Sequence, residues 1–461
     1  MLFTQYYLDC LSQASYLIAD ETTRQAVVVD PRRDVAEYLA DAREHGLTIV
    51  GVIDTHFHAD FLAGHLELAA ATGAWIGFGE SAEADFPIRA LADGERISLG
   101  DVTLQIMATP GHTPESISVL VFEHAEDAVP YGVLTGDALF IGDVGRPDLL
   151  ASVGVTAADL GRMLYRTVQR LMELPDEVRV FPAHGAGSAC GKNLSPERQS
   201  TIGEQRATNY ACRPMTEEQF LAIVTEGQPS APDYFSYDAE QNRRLHDVFA
   251  AQAEPVALTV QDALDRQAAG AVVVDARDPH DFAAAHLRGS INVPADGRFA
   301  ETAGTVVGPE DEIVVLAPED REREIVVRLA RIGFDRIAGY LPEPEAAFLA
   351  APDHVARASR LSAPRLAGLL HDTEPPVVVD VRNDGELVAG TITGAIHIPL
   401  ARLSHRLDEV PEDRPVVVHC ASGYRSSVAA SLLRARGRAD VSDLLGGFAA
   451  WAATQPVGTT R

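Results

Sequence analysis

Thr55-His56-Phe57-His58-Ala59-Asp60-Phe61-Leu62-Ala63-Gly64-His65 places three imidazoles and a carboxylate directly after the β-branched, apolar run Thr48 to Ile53. A strand that ends in His-x-His-x-Asp is a candidate metal site. In extended backbone, side chains two apart share a face, so His56 and His58 can aim at one point while Asp60 follows as the chain turns. The same grammar recurs downstream. The run Val102 to Met107 stops at Thr109-Pro110-Gly111-His112, Tyr131 to Leu134 stops at Thr135-Gly136-Asp137, and Arg179 to Phe181 stops at Pro182-Ala183-His184-Gly185. Each strand-like segment ends in a metal-capable side chain beside Gly or Pro, which is how a rigid sheet delivers ligands from several loops to one place.

These segments, matched in order, resemble the metallo-β-lactamase superfamily. The resemblance implies an αββα sandwich that binds metal at its strand ends. Around the motif, Ser15 to Ile18 and Ala26 to Asp30 read as strands. Val35 to Glu44, Leu66 to Thr72 and Ala157 to Leu174 read as helices. The helical stretch Thr216 to Val248 is broken by Gln228-Pro229-Ser230-Ala231-Pro232. The first domain is placed at residues 1–250.

With 461 residues, 46% hydrophobic and 23% charged, the chain has the composition of a globular protein of about three domains. No apolar stretch approaches the roughly 20 residues of a membrane helix, and Met1-Leu2-Phe3-Thr4-Gln5 lacks the basic start of a signal peptide, so the expected location is the cytoplasm. A net charge of −29 argues against nucleic acid and anionic membranes as partners. Cys10, Cys190, Cys212 and Cys420 are widely spaced and do not read as a disulfide framework. Cys190 follows His184 closely and is read as a buried structural thiol.

Beyond residue 250 lies an internal repeat. Val272-Val273-Val274-Asp275-Ala276-Arg277 aligns with Val377-Val378-Val379-Asp380-Val381-Arg382, and Gly289-Ser290-Ile291-Asn292-Val293-Pro294 with Gly394-Ala395-Ile396-His397-Ile398-Pro399. Strand runs alternating with helical ones predict a doubly wound parallel sheet in each copy. This resembles the rhodanese fold, as does the ending Leu445-Gly446-Gly447-Phe448-Ala449-Ala450-Trp451. The copies are placed at 255–350 and 358–461, with a linker near Pro342 to Ser359.

In the second copy, Val416-Val417-Val418-His419 leads into Cys420-Ala421-Ser422-Gly423-Tyr424-Arg425 and then a helical run. A cysteine at such a turn sits among backbone N–H groups at a helix N-terminus, where a thiolate and an attached anion are stabilised. Cysteine-dependent phosphatases resemble this turn but carry the arginine one residue further on. The tighter Cys420 to Arg425 spacing resembles a rhodanese loop sized for sulfur, with Cys420, Arg425 and Gly423 as its working residues. The first copy has Ala317-Pro318-Glu319-Asp320-Arg321 at this point and no thiol, so it is expected to be catalytically silent.

Histidines and carboxylates without a nearby thiolate suit Zn, Fe or Mn. Binuclear relatives such as glyoxalase II use His-x-His-x-Asp-His, whereas Phe61 stands at the last position here. The chain is similar over nearly its whole length to fusions of a persulfide dioxygenase with rhodanese domains. That resemblance implies one Fe(II) per chain, held by His56, His112 and Asp137. His58, Asp60 and His184 would orient ligands and water, Arg146 and Asp148 would either shape the substrate pocket or form a surface ion pair or loop staple, and His65 would be a structural partner. The implied chemistry is O₂-dependent oxidation of a low-molecular-weight thiol persulfide to sulfite, with sulfane sulfur moved through Cys420 and thiosulfate made or used. A zinc thioester hydrolase of the glyoxalase II type with rhodanese accessory domains is the main alternative, and a persulfide-binding redox sensor a third. The carrier thiol and the oligomeric state, a homo-oligomer included, are left open.

Overall fold

A computed structural model describes residues 1–149 and 155–454. It divides into two compact units, Met1–Ala251 together with Ala330–Gly333, and the remainder from Gln252 onward.

The first unit is built on two six-stranded sheets. One contains β1 (Leu2–Leu8), β2 (Gln13–Ala19), β3 (Gln25–Val29), β4 (Thr48–Ile53), β5 (Trp75–Gly79) and β6 (Arg89–Leu91), in that order. The other runs β12-β11-β10-β9-β8-β7, formed by β7 (Arg96–Ser98), β8 (Thr103–Ala108), β9 (Ile117–Phe122), β10 (Gly132–Gly136), β11 (Arg179–Pro182) and β12 (Ser200–Thr201). Alternate residues of both sheets, among them Tyr16, Val27, Val29, Leu104, Val119 and Leu134, interdigitate between them as one buried core. The outer faces are covered by helices. Tyr38 and Ala42 of α1 (Ala36–Glu44) pack on Leu17 and Val28, and Leu164 and Val168 of α3 (Ala157–Leu171) pack on Leu120 and Val133. The helix α2 (His65–Thr72) follows the histidine motif and is left-handedly capped by Gly73. This is the αββα sandwich expected from the sequence.

Burying each sheet on both faces explains why β3 and β4 read as continuous apolar runs rather than alternating ones. It also explains where the ligands lie. β4, β8, β10 and β11 end at His56, His112, Asp137 and His184 respectively, and β10 and β11 run parallel, so the last two carriers emerge at the same edge. Gly111, at φ 144°, lets the His112 loop lie against α3, where a Cβ would stand 2.4 Å from the Leu164 Cα.

The second unit holds two parallel sheets. In the first, Ile291–Asn292, Val272–Asp275, Ile313–Leu316 and Ile337–Tyr340 lie side by side, and in the second Ser359–Leu361, Val441–Leu444, Val416–His419, Val377–Asp380 and Ile396–His397 do so. Each copy keeps a buried, two-pronged ion pair at its Val-Val-Val-Asp strand, Arg277 with Asp275 and Arg382 with Asp380. The linker expected over Pro342 to Ser359 is corrected. Pro344–Ala350 is a helix whose Phe348 enters the first copy's core, and Val355–Ala356 pairs with His286–Leu287. Pro342 and Pro344 read as linker punctuation, but Pro at the first helical turn is a start signal, since its missing N–H is unpaired there anyway.

Candidate metal centre and sulfur loop

His56, His112 and Asp137 converge. The Asp137 Oδ2 lies 3.5 Å from His112 Nε2 and 3.9 Å from His56 Nε2, with all three side chains buried. Donor atoms on a shell of about 2.1 Å radius stand roughly 3.0–3.4 Å apart, so this spacing is close to that of three ligands around one ion. The far nitrogen of each ring is tied down. His112 Nδ1–H donates to the Arg146 carbonyl at 2.9 Å, and His56 Nδ1 lies 3.0 Å from Thr55 Oγ1, whose hydroxyl donates to Asp30 at 2.9 Å. Both rings therefore present an Nε2 lone pair to the centre.

The carboxylate supplies the test of fit. Both oxygens of Asp137 are buried without a hydrogen-bond partner. An uncompensated buried charge costs on the order of 3–5 kcal/mol, a penalty that a divalent cation between these residues removes. Burial, with the neighbouring imidazoles His58, His112 and His184 adding to it, pushes the His56 pKa well below its ordinary value, so this ring is neutral and ready to ligate. The donor set fits a metal.

A second cluster adjoins the first. His184 Nε2 stands 3.4 Å from Asp60 Oδ2 and 3.5 Å from Asp137 Oδ1, while His184 Nδ1–H donates to the Ser12 carbonyl at 3.3 Å. His58, Asp60 and His184 can reach one point, and His58 Nδ1, Asp60 Oδ1 and His184 Nε2 are buried without partners. His58 is held from behind by Asp30, to which its Nε2–H donates at 3.1 Å. Burial opposes a charge on this ring, but the Asp30 carboxylate outweighs it and raises the pKa to about 9. Phe61 packs on His58 with ring centroids 4.3 Å apart, so the residue after Asp60 is an apolar ring that offers no ligand. Cys190 is buried within reach of Asp137 and His184, and burial raises its thiol pKa well above the ordinary value.

His65 stands away from the centre, with its Nδ1 2.8 Å from Asp54 and its ring stacked on Phe86. Arg146 and Asp148 form a bidentate pair at 2.8 and 2.7 Å, and the Arg146 guanidinium also donates to the Ala189 and Pro229 carbonyls. That geometry is a staple behind the His112 loop. Asp30 is the participant that motif reading missed. It accepts from the Thr55 N–H at 2.7 Å as well as from Thr55 Oγ1 and His58, so one carboxylate fixes both histidines of the motif. Its signal is a carboxylate closing Val27-Val28-Val29, the same strand-end grammar that marks the ligands.

In the last domain, the strand Val416–His419 delivers Cys420 to a turn capped by the helix Tyr424–Ala435. Gly423, at φ 109°, turns its N–H onto the Cys420 Sγ at 3.1 Å. A Cβ-bearing residue is strained at this φ, so Gly423 belongs to the sulfur cradle. Arg425 does not face an empty space: its two terminal nitrogens donate to the two Glu386 oxygens at 2.7 Å each.

Residues 8–184 match the metallo-beta-lactamase superfamily, and residues 259–342 and 362–454 each match the rhodanese-like domain. A beta-lactamase hydrolase-like protein of Xylella fastidiosa is 27% identical over 46% of the chain, and the match spans 52%, about half, of that relative. The mitochondrial persulfide dioxygenase of Mus musculus is 30% identical over 50% of the chain and 83% of its own length. Among solved structures, a metallo-beta-lactamase from Staphylococcus aureus COL superposes with a TM-score of 0.67 at 33% identity, covering 74% of this chain and 99% of that one. With the sandwich, the strand-end donors and these matches in agreement, the chain belongs to the metallo-β-lactamase superfamily, in a form extended by two rhodanese-like domains.

Proposed function

We propose that the first unit is a persulfide dioxygenase that uses one Fe(II) per chain, held by His56, His112 and Asp137. In the balanced reaction, R–S–SH, O₂ and H₂O give R–SH, sulfite and two protons. A ferrous ion held by these two imidazoles and one carboxylate would supply the redox chemistry of the reaction. The chain's residues do the rest. The Arg146 carbonyl and Thr55 fix the two rings, Asp137 balances the ion's charge, and Phe61, packed on His58, is an apolar neighbour of the site. His58, Asp60 and His184 would hold bound water and ligands in place. Phe61 is the observation that carries the single-metal reading, because it offers no ligand at the motif position where binuclear relatives have a histidine. The relative named persulfide dioxygenase supports the substrate class.

In the same proposal, Cys420 accepts sulfane sulfur as a persulfide and passes it to sulfite, giving thiosulfate, and the activity resides in the cytoplasm. Among the described residues no helix is long and apolar enough to cross a membrane, and the four cysteines are free, which agrees with a reducing compartment. The second reading, a zinc thioester hydrolase, is favoured by the unpartnered His58, Asp60 and His184 atoms beside the first site. Metal analysis of anaerobically purified protein, run beside oxygen uptake on a persulfide, decides between them. About one iron per chain with uptake is expected, and two zinc ions with thioester hydrolysis and no uptake would overturn the dioxygenase. Alanine at His56, His112 or Asp137 should abolish iron binding, and His58→Ala should weaken activity about 10–100-fold.

A further inference from the structure

The sulfur loop presents a charge problem that its motif does not reveal. The Cys420 Sγ accepts from the Gly423 N–H at 3.1 Å and its S–H donates to Ser426 Oγ at 3.6 Å, with the Ser426 hydroxyl donating on to the Gly423 carbonyl, a neutral cradle around one sulfur atom. Arg425 follows five residues on in the same turn, and a thiolate at Cys420 would favour its charged form. Yet both of its terminal nitrogens are held by Glu386, and Glu386 is itself fixed by the Asn383 N–H at 2.9 Å, which caps the short helix beginning at Asp384. Arg382, which donates to the Glu386 carbonyl, is committed through its other nitrogens to Asp380 and the Gly390 carbonyl. The Arg425–Glu386 pair is partly exposed, 26% and 33%, so it closes on itself at the edge of the site within reach of an incoming anion.

We propose that Glu386 sets which sulfur compounds the Cys420 site accepts, by holding Arg425 in a neutral pair that sulfite or thiosulfate must displace and an organic persulfide need not. The proposal rests on the reading of Cys420 as the sulfur carrier. In loading, the Cys420 thiolate attacks the outer sulfur of R–S–SH, one S–S bond forms as another breaks, and the proton leaves with R–SH. No oxyanion enters. In unloading, the sulfite lone pair attacks the outer sulfur of the Cys420 persulfide, the S–S bond breaks with its electron pair returning to Cys420, and thiosulfate departs. Here three oxygens carrying two negative charges must sit beside a loop of neutral N–H groups, and the guanidinium fork is matched to them. Glu386 is thus a positioning residue that acts through Arg425. It slows exchange with the inorganic oxyanions in both directions while leaving uptake from a thiol persulfide open.

The test uses the full-length holoenzyme, with intact-mass detection of sulfur on Cys420 and separate rates for thiosulfate, sulfite and glutathione persulfide as probes. Glu386→Gln keeps the cap on Asn383, since Gln serves in a capping box as Glu does. It should raise kcat/KM about tenfold for thiosulfate as donor and for sulfite as acceptor, chiefly through KM, the scale of one charge-assisted hydrogen bond. Loading from glutathione persulfide should change by less than about twofold, because the sulfur transferred in that step bears no oxygens for the Arg425 fork to bind. Glu386→Asp, which keeps the carboxylate, should retain the parent selectivity, and Glu386→Gln made on an Arg425→Ala background should give no gain. An unchanged KM for both oxyanions, with sulfur still found on Cys420, overturns the proposal alone. An equal gain for all three compounds does so too, since a loosened loop would act on each. A parent enzyme that never carries sulfur on Cys420 overturns the carrier reading and this proposal together.

Discussion

The two rhodanese-like copies share a skeleton and differ at one turn. Both contain a Val-Val-Val-Asp strand whose aspartate holds an arginine two residues on, and both send a later strand into a turn and a helix. At that turn Ala317 stands where Cys420 stands, Asp320 where Gly423 stands, and Glu322 where Arg425 stands. The backbone bend survives: Asp320 has φ 63° and Gly423 φ 109°, so both copies use the left-handed region. The charge does not survive. A cleft of about 760 Å³ beside the first copy's turn is lined by Asp278, Asp281, Asp296, Glu319, Asp320 and Glu322, and Arg321 is taken up by Asp296 and Glu324. An anionic sulfur species of the kind proposed for the Cys420 loop would be repelled there. The comparison teaches that the fold's stabilising pairs and its chemistry are separable, because the first depend on strands and the second on six residues of loop.

The largest effect should come from moving the thiol. Cys420→Ser should abolish sulfane transfer and replace thiosulfate by accumulated sulfite, while persulfide-dependent oxygen uptake stays within about twofold, the two sites lying in different domains. Adding Ala317→Cys to that variant should restore nothing, as read by thiol derivatisation and chromatography of the products. Restored thiosulfate would show that the acidic turn is no obstacle, and the comparison would fail.

Next in size is the shared skeleton. Asp380→Asn strips the carboxylate from buried Arg382 and Asp275→Asn leaves Arg277 only the exposed Glu345, and each should lower the stability of its domain by about 3–5 kcal/mol in urea unfolding. A loss confined to one copy would mean that the pair is not a stabilising device the two copies share.

A third difference is His286, which is buried in the first copy, stacked on Phe282, and matched by exposed Thr391 in the second. Burial lowers its pKa to about 4. The folded value lies below the unfolded one, near 6.5, so the unfolded chain binds the proton first. Stability is full above about pH 6.5 and is lost as pH falls through 4, by roughly 3 kcal/mol. Urea midpoints of the parent and His286→Gln between pH 7 and 4 should converge on acidification, and parallel curves would remove His286 as the source.

The smallest effect concerns the bend. Gly423→Ala should destabilise by about 1–3 kcal/mol and Asp320→Gly by less than about 1 kcal/mol, since Asp already tolerates the left-handed region and Gly is at ease there. Thermal unfolding of the two variants distinguishes them.

Local pattern was enough to read the strand-end donors, the repeat and the cysteine loop, because periodicity and turn chemistry are properties of neighbouring residues. His56, His112, Asp137 and His184 were legible as strand-end donors for that reason, while the three-ligand set and the αββα class came from the resemblance to the metallo-β-lactamase superfamily. The segment 342–359 was misread because a proline that starts a helix and one that breaks a chain look alike until the helix finds a core, here through Phe348. The pairings of charge were beyond reach. Asp30 with His58, Asp54 with His65, and Glu386 with Arg425 join residues that only folding brings together. A carboxylate acts through its distance in space and the water removed around it, and neither is written in the order of the residues. The sequence by itself thus determined which side chains could do metal and sulfur chemistry, while the tertiary structure decided which of them are neutral, which are charged, and which arginine is already spoken for.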